Sequence, residues 1–256
     1  MNTILRRTLA SVLALLTSGT IALVTASPAA AQPDGFYSVP YSGTVYRHYH
    51  DDAWGFHYPV TFQEWVDAGR PTPRAVPTSF VKYPWSSTIY AVSFFDNASD
   101  QWEWRKVTFS EWSRAGKPAP RTAGWIEGST YHQWATSSEV FVELDGQVHR
   151  LTFNQWKAAG SPSPRVQADS GFMKLSWNSS IAYMLSIGGG QGYPVNLAEW
   201  RAEGSPTPKT QRMLPGDYVC SYSWTDELWY DGSSYYGALS YEQWKAAGFP
   251  SPVPCG

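Results

Sequence analysis

The sequence predicts a mainly β protein with short helices, built from five repeats of about 44 residues. Three observations support this class. A motif with a capping residue, a Trp, a Gly and two prolines occurs five times. The spacing between successive copies is 47, 44, 44 and 44 residues. Aromatic and β-branched runs fill the intervals, as expected for strands. The motif tryptophans are Trp65, Trp112, Trp156, Trp200 and Trp244.

Each motif carries the start and stop signals of a two-turn helix. A Thr, Asn or Ser at the N-cap is followed three residues later by Glu or Gln, which predicts a capping box. An apolar residue before the cap and the Trp four residues into the helix occupy the two positions of a hydrophobic staple. The Gly then ends the helix, and the prolines prevent its continuation. Because such a short helix needs packing to persist, we expect the five tryptophans to be core residues.

The remainder of each repeat predicts a β-hairpin and a third strand that leads into the helix cap. The hairpin turns are short polar clusters between aromatic runs, such as Ser86-Ser87-Thr88 between Trp85 and Ile89. The predicted unit is therefore three strands and one helix. The repeats span about 36–76, 77–123, 124–167, 168–211 and 212–256.

Two arrangements of the five repeats are compatible with the sequence. Five small β units fall within the range of about 4–8 blades that close into propellers. The alternative is an open repeat array, which needs polar terminal units. Because the first and last repeats are as aromatic as the middle ones, the sequence favours a closed five-bladed propeller-like ring.

The N-terminus predicts a secretory signal peptide over residues 1–31. Arg6 and Arg7 precede an apolar stretch, and small residues ending at Ala31 provide a cleavage site. Residues 32–256 then form a single repeat domain, which we expect to be secreted; retention at the cell surface after export is the alternative. In an exported protein the two cysteines, Cys220 and Cys255, predict a disulfide within the last repeat.

Composition argues against several function classes. The net charge of −2, with 16% charged residues, does not favour nucleic-acid binding, which depends on clustered Lys and Arg. No membrane span is expected after removal of the signal. The glycine-rich segment 188–192 lacks the Lys-Ser/Thr and the helix start of a phosphate-binding loop. No nucleophile–base pair is recognisable, so the sequence predicts a protein that is not an enzyme and needs no cofactor.

The histidines of the first repeat are weak candidates for a metal site. His48 and His50 alternate along one strand, Asp51 and Asp52 follow them, and His57 is close in sequence. Imidazole and carboxylate suit zinc and similar ions. The cluster is confined to one repeat, however, and a His-x-His pattern in an aromatic strand is more often a polar strand face. The sequence therefore predicts no bound metal.

A second set of aromatic residues lies beside the hairpin turns and provides the candidate ligand-binding residues. Aromatic faces next to hydroxyl side chains are suited to sugars, because a ring covers the C–H face of a sugar while hydroxyls bind its polar groups. Repeated weak sites would gain affinity on a polymer through multivalency. The competing interpretation is that these rings pack between neighbouring units. The set comprises Tyr41, Trp85, Trp134, Trp177 and Trp224.

Residues 36–256 resemble an uncharacterised Trp-rich repeat. The resemblance is carried by the Trp-Ser-x-x-Ile-Tyr hairpin and by the Thr-Phe-x-Glu-Trp-x-x-Ala-Gly-x-Pro-x-Pro motif that follows it. That repeat belongs to secreted Gram-positive bacterial proteins and is sometimes appended to cell-wall-active enzymes. The resemblance implies an extracellular or cell-envelope accessory role. We therefore expect a secreted, non-enzymatic protein that binds a glycan or cell-envelope polymer. The alternatives are an extracellular protein-interaction or adhesion scaffold and a hydrolase whose site is not recognisable.

Overall fold

The computed structural model describes residues 33–51, 54–96 and 101–255. The predicted signal peptide lies outside the described residues, as does Asp52 of the histidine-rich segment.

The described residues contain five α-helices and twenty β-strands, arranged as five successive units. The first unit contains β1 (Gly35–Ser38), β2 (Val45–Asp51), β3 (Trp54–Pro59), α1 (Phe62–Asp67) and β4 (Arg74–Ala75). The second contains β5 (Thr78–Lys82), β6 (Ile89–Asp96), β7 (Gln101–Val107), α2 (Phe109–Arg114) and β8 (Arg121–Thr122). The third contains β9 (Thr130–Trp134), β10 (Phe141–Leu144), β11 (Gln147–Arg150), α3 (Phe153–Ala158) and β12 (Arg165–Gln167). The fourth contains β13 (Gly171–Leu175), β14 (Ile181–Ser186), β15 (Gln191–Val195), α4 (Leu197–Ala202) and β16 (Lys209–Gln211). The fifth contains β17 (Tyr218–Ser221), β18 (Leu228–Asp231), β19 (Tyr236–Ala238), α5 (Tyr241–Ala246) and β20 (Val253–Pro254).

Every unit is a four-stranded sheet, whereas the sequence predicted three strands. The spatial order in each is third, second, first and fourth strand, as in β3-β2-β1-β4. The first three strands are antiparallel, and the fourth pairs in parallel with the first. The helix and its proline-rich exit therefore form the crossover connection that parallel pairing requires. The extra strand is only two or three residues long in each unit.

The predicted helix ends are confirmed in all five units. In α3, for example, Thr152 accepts a hydrogen bond from the backbone N–H of Gln155, whose side chain accepts one from the Thr152 N–H. At the other end the N–H of Gly160 donates to Lys157 O and the N–H of Ser161 donates to Trp156 O. This pair of bonds is a Schellman motif, and Gly160 adopts the positive φ of 86° that favours glycine there.

The helix tryptophans were predicted to be core residues, but the structure shows them half-buried and not fully buried. Each indole Nε1 donates to the carbonyl of the proline six residues later, as from Trp156 to Pro162 at 2.9 Å. The ring therefore holds the proline-rich exit against its own helix. One face remains at the surface because the helix has only two turns.

The capping boxes of α1 and α2 make the stability of their units sensitive to acid. Hydrogen bonds from the backbone and hydroxyl of Thr108 hold the pKa of Glu111 below its ordinary value near 4.5, and Thr61 does the same for Glu64. When the pKa of a carboxyl group is lower in the folded than in the unfolded protein, the ionised group stabilises the fold at pH values above the ordinary pKa. This stabilisation is lost as pH falls through the pKa of the folded state. We therefore expect a Glu64→Gln/Glu111→Gln variant to lose less stability than wild type between pH 6 and pH 3, measured as the urea midpoint.

The third unit supplies the matched control for this prediction, because its box already contains the non-titrating Gln155. Gln155→Glu should increase the loss of stability in acid. Equal pH profiles for wild type and both variants would contradict the assignment.

Four buried clusters join consecutive units. The first contains Tyr37 and Tyr46 of the first unit with Phe80 and Phe95 of the second. Corresponding clusters join the second unit to the third, the third to the fourth and the fourth to the fifth. We call each of these contacts between consecutive units a joint. Among the described residues, none of these clusters contains side chains of both the first and the fifth unit. The structure thus shows five repeated units joined in series and does not show the closed ring favoured by the sequence.

The predicted disulfide between Cys220 and Cys255 is present. It links β17 to the residue after β20, and the N–H of Cys255 donates to the carbonyl of Ser221 beside it. The bond therefore holds the fourth strand of the last unit against the first.

Candidate functional site

The hairpin-turn aromatic residue of the first unit is inserted into the second unit. Tyr41 is 1% exposed, and its ring meets Phe80 edge to face with centroids 6.5 Å apart. Its hydroxyl lies 3.3 Å from Ser93 Oγ, and the guanidinium of Arg105 lies 5.8 Å from its ring centroid. Both the hydroxyl and the ring face are therefore occupied by the next unit.

Trp85 and Trp177 make corresponding contacts with the units that follow them. Trp85 stacks between Tyr83 of its own unit and His149 of the third, with both centroid distances at 4.4 Å. Trp177 packs edge to face on Tyr230 at 5.1 Å, and its Nε1 donates to the carbonyl of Arg212 at 2.9 Å. Both rings are half-buried.

Trp134 also lies in a joint between units, but at a different position of its unit. It ends strand β9 and is 7% exposed, with its ring against Phe172 and Tyr183 of the fourth unit. The turn position itself is taken by Thr136, whose Oγ1 accepts a hydrogen bond from the N–H of Phe172. The sequence analysis aligned Trp134 with the turn tryptophans, but the equivalent turn position lies two residues later, at Thr136.

Trp224 differs from the rest of the set because it lies in the fifth unit, the last one that the structure describes. Its ring is 77% exposed and stacks on Tyr222 of its own unit with centroids 4.6 Å apart. Of the five predicted binding residues, Trp224 alone is freely accessible. The other four form or line the joints between units.

A polar cleft of about 420 Å³ opens beside Trp85 at the joint between the second and third units. Hydroxyls of the β5–β6 turn line one side, and Asp145, Gln147 and His149 line the other. Lys106 lies 3.4 Å from Asp145, which also accepts a hydrogen bond from Tyr90. Burial lowers the pKa of His149, so the imidazole stacked on Trp85 is neutral at pH 7. The cleft thus combines an aromatic edge with several hydrogen-bonding groups.

A recurring exposed apolar residue, aromatic in four of the five units, was not predicted from the sequence as a candidate binding residue. The residue directly after each N-cap is apolar in all five units, and its side chain is 55–71% exposed. In four units its ring lies about 6 Å from the ring of the helix tryptophan. The signal was visible in the sequence, because an apolar residue recurs at a helix position that faces solvent. We call these the helix-start residues: Phe62, Phe109, Phe153, Leu197 and Tyr241.

The first two helix-start residues line equivalent grooves. In the first unit Phe62 and Trp65 face Ser42 and Thr44 of the β1–β2 turn across a groove of about 660 Å³. In the second, a groove of about 360 Å³ lies between Phe109 and the β5–β6 turn.

The second groove adjoins the Trp85 cleft, because Ser87, Thr88 and Lys106 line both. An extended surface with aromatic rings at both ends and hydroxyls between them therefore crosses the second unit.

The weak candidate metal ligands lie close together but are engaged in other contacts. His48 is fully buried, with its ring edge on Tyr37 and on His50. His50 Nδ1 lies 2.9 Å from Asp34 Oδ1, and this hydrogen bond lowers the pKa of Asp34. His57 stacks on Phe95 of the second unit at 3.9 Å. Over the described part of the chain, no group of three or more His, Cys, Asp or Glu is arranged to hold a metal ion.

Within the same residues, no helix is both long and apolar enough to cross a membrane. Comparisons with models of protein families, with curated proteins and with solved structures find no match to the chain.

Proposed function

We propose that this is a secreted, non-enzymatic repeat protein that binds a glycan or cell-envelope polymer. The observation that carries the proposal is the recurrence of an exposed apolar side chain at the same position in five consecutive units. Such exposure gives the isolated chain little stability, because roughly 25 cal/mol is gained only for each Å² of apolar surface that is buried. A ligand that covers the rings would recover this energy.

The surroundings of the rings favour a sugar over an apolar ligand. Serine and threonine hydroxyls of the hairpin turns face Phe62 and Phe109 across their grooves. Large apolar pockets, by contrast, are typical of drug-like ligands and cofactors. A polymer that contacts several units at once would bind tightly although each groove is shallow.

For the arrangement of units we propose the open array instead of the closed ring. The exposure of Trp224 supports it, because the corresponding side chains of the first four units are covered by the next unit. An open array also presents its grooves in series along one chain, which suits a linear polymer.

A polysaccharide pull-down with a Phe109→Ala/Phe153→Ala variant tests the proposed function. We expect retention on the best-binding glycan to fall by about tenfold or more, because two of the five repeated sites lose their rings. Thermal stability should stay close to that of wild type, since both side chains are about 70% exposed. Trp224→Ala is the matched control, because it removes an exposed ring outside the grooves. All three proteins are applied at a concentration at which light scattering shows wild type to be monomeric, so that a change in self-association does not alter retention.

Equal retention of the double variant and wild type would contradict binding through the helix-start residues. Loss of retention with Trp224→Ala instead would place the glycan on the end of the array. Assay of the same panel for released sugars tests the hydrolase alternative.

An interaction scaffold is the second candidate function. The observation that favours it is that four of the five predicted binding residues pack between units, so that their rings are not available to a glycan. Binding of no glycan on the panel would make this the better interpretation.

A further inference from the structure

The last unit presents an aromatic sheet face that the first four units bury. In those units the corresponding face packs on the following unit, as Tyr37, Tyr41 and Tyr46 do on the second unit. In the fifth unit, Tyr218 and Tyr236 are exposed together with Trp224. The rings are already ordered among themselves, with Trp229 contacting both Tyr222 and Tyr236. We call Tyr218, Tyr222, Trp224, Trp229 and Tyr236 the terminal face.

The first unit presents the complementary surface. Side chains alternate along a strand, so Arg47 and Tyr49 point away from the second unit, opposite to Tyr46 and His48. Tyr49 stacks on Phe56 across the strand pair, and Tyr58 lies beside it. All three of these rings are exposed. We call Arg47, Tyr49, Phe56 and Tyr58 the leading face.

The internal joints show which surface a terminal face is built to bind. In each joint the turn residue and buried strand side chains of one unit meet the opposite sheet face of the next; the inserted side chains are largely aromatic in the first three joints, whereas Met173 and Leu175 take part in the fourth. At the first joint an arginine of the receiving unit, Arg105, lies over the inserted ring of Tyr41. The leading face carries an arginine as well, since Arg47 lies 4.9 Å from the ring centroid of Phe36.

Charge is also complementary between the two faces. Asp231 lies in the terminal face, where its Oδ2 accepts a hydrogen bond from Tyr218. The leading face contributes the positive charge of Arg47. Opposite charges on two surfaces that are otherwise aromatic favour one register of docking over others.

We propose that the terminal face binds the leading face of a second copy of this chain, so that molecules associate head to tail. The contact reproduces an internal joint between two chains and leaves one terminal and one leading face free at the ends. Such a heterologous contact forms open chains of molecules unless its rotation closes a ring. The proposal is independent of glycan binding, because the helix-start residues belong to neither face.

Two complementary variants test the proposal by multi-angle light scattering over a range of concentrations. Trp224→Ala removes the inserted ring of the terminal face, and Tyr49→Ala/Tyr58→Ala removes two rings of the leading face. We expect wild type to form dimers and longer species as concentration rises, and each variant alone to remain monomeric at concentrations about tenfold higher. A mixture of the two should form dimers and nothing longer, because only one intact pair of faces remains.

The dimeric mixture is the decisive result, since neither unfolding nor general stickiness produces it. Circular dichroism and thermal melting of each variant exclude misfolding as the cause of a monomeric state. Wild type that stays monomeric at all concentrations would overturn the proposal, whether because the ends meet within one chain or because they stay free. Self-association that both variants retain would overturn it too.

Discussion

Trp177→Ala is expected to lower the free energy of unfolding by about 3 kcal/mol, near the lower end of the values for deleting a buried Trp side chain. The ring packs on Tyr230 and Tyr235, and its Nε1 donates to the carbonyl of Arg212. Truncation therefore leaves a cavity at the joint and removes the hydrogen bond to Arg212. Urea unfolding, followed by fluorescence and by circular dichroism, measures the effect.

Trp224→Ala supplies the matched comparison, because the residue type and the position in the repeat are the same. Its side chain is 77% exposed and packs against no other described unit. We expect a change within about 0.5 kcal/mol, as for ordinary surface substitutions. Similar losses for the two variants would mean that the turn tryptophans act within their own units and that the joints are described wrongly.

Removal of the disulfide is expected to have a comparable effect. Cys220 and Cys255 are 35 residues apart, and chain-entropy models assign about 3–4 kcal/mol to a loop of this size. The Cys220→Ala/Cys255→Ala variant should lose this amount, with the loss confined to the fifth unit, because the buried clusters of the described residues join each unit only to its neighbours. Hydrogen exchange resolved by segment measures the loss and its location.

Reduction of the wild-type protein is the control for the disulfide, because it breaks the same bond without changing the sequence. It should give the same pattern of exchange as the double alanine variant. If protection from hydrogen exchange falls equally in all five units, the array unfolds as a whole. That result would contradict the prediction that the loss of stability is confined to the fifth unit.

The helices were predictable because their signals are local. Thr152, Gln155 and Gly160 fix both ends of α3 within nine residues of sequence. The fourth strands were missed for the opposite reason. Strands as short as Arg74–Ala75 have no alternation to detect, and they pair with a first strand more than thirty residues earlier. Only the tertiary fold brings the two segments together.

The candidate site was harder to predict than the fold. Trp177 and Trp224 occupy equivalent positions beside polar turns, yet one is packed and the other exposed, because burial depends on whether another unit follows. Trp134 was misplaced because the aromatic pattern of the third repeat is shifted and a threonine takes the turn. The helix-start residues could have been identified from sequence, since Phe109 and its equivalents follow a capping residue directly.

The joints have a consequence for the number of repeats that such a chain can contain. Each joint draws its side chains from two consecutive units, so duplication of an interior unit would add one joint and one helix-start residue while leaving the existing joints intact. Duplication of the last unit would bury the present terminal face and create an identical one beyond it. The number of units can therefore change without redesign of a common core, and the number of exposed helix-start residues would grow in equal steps with chain length.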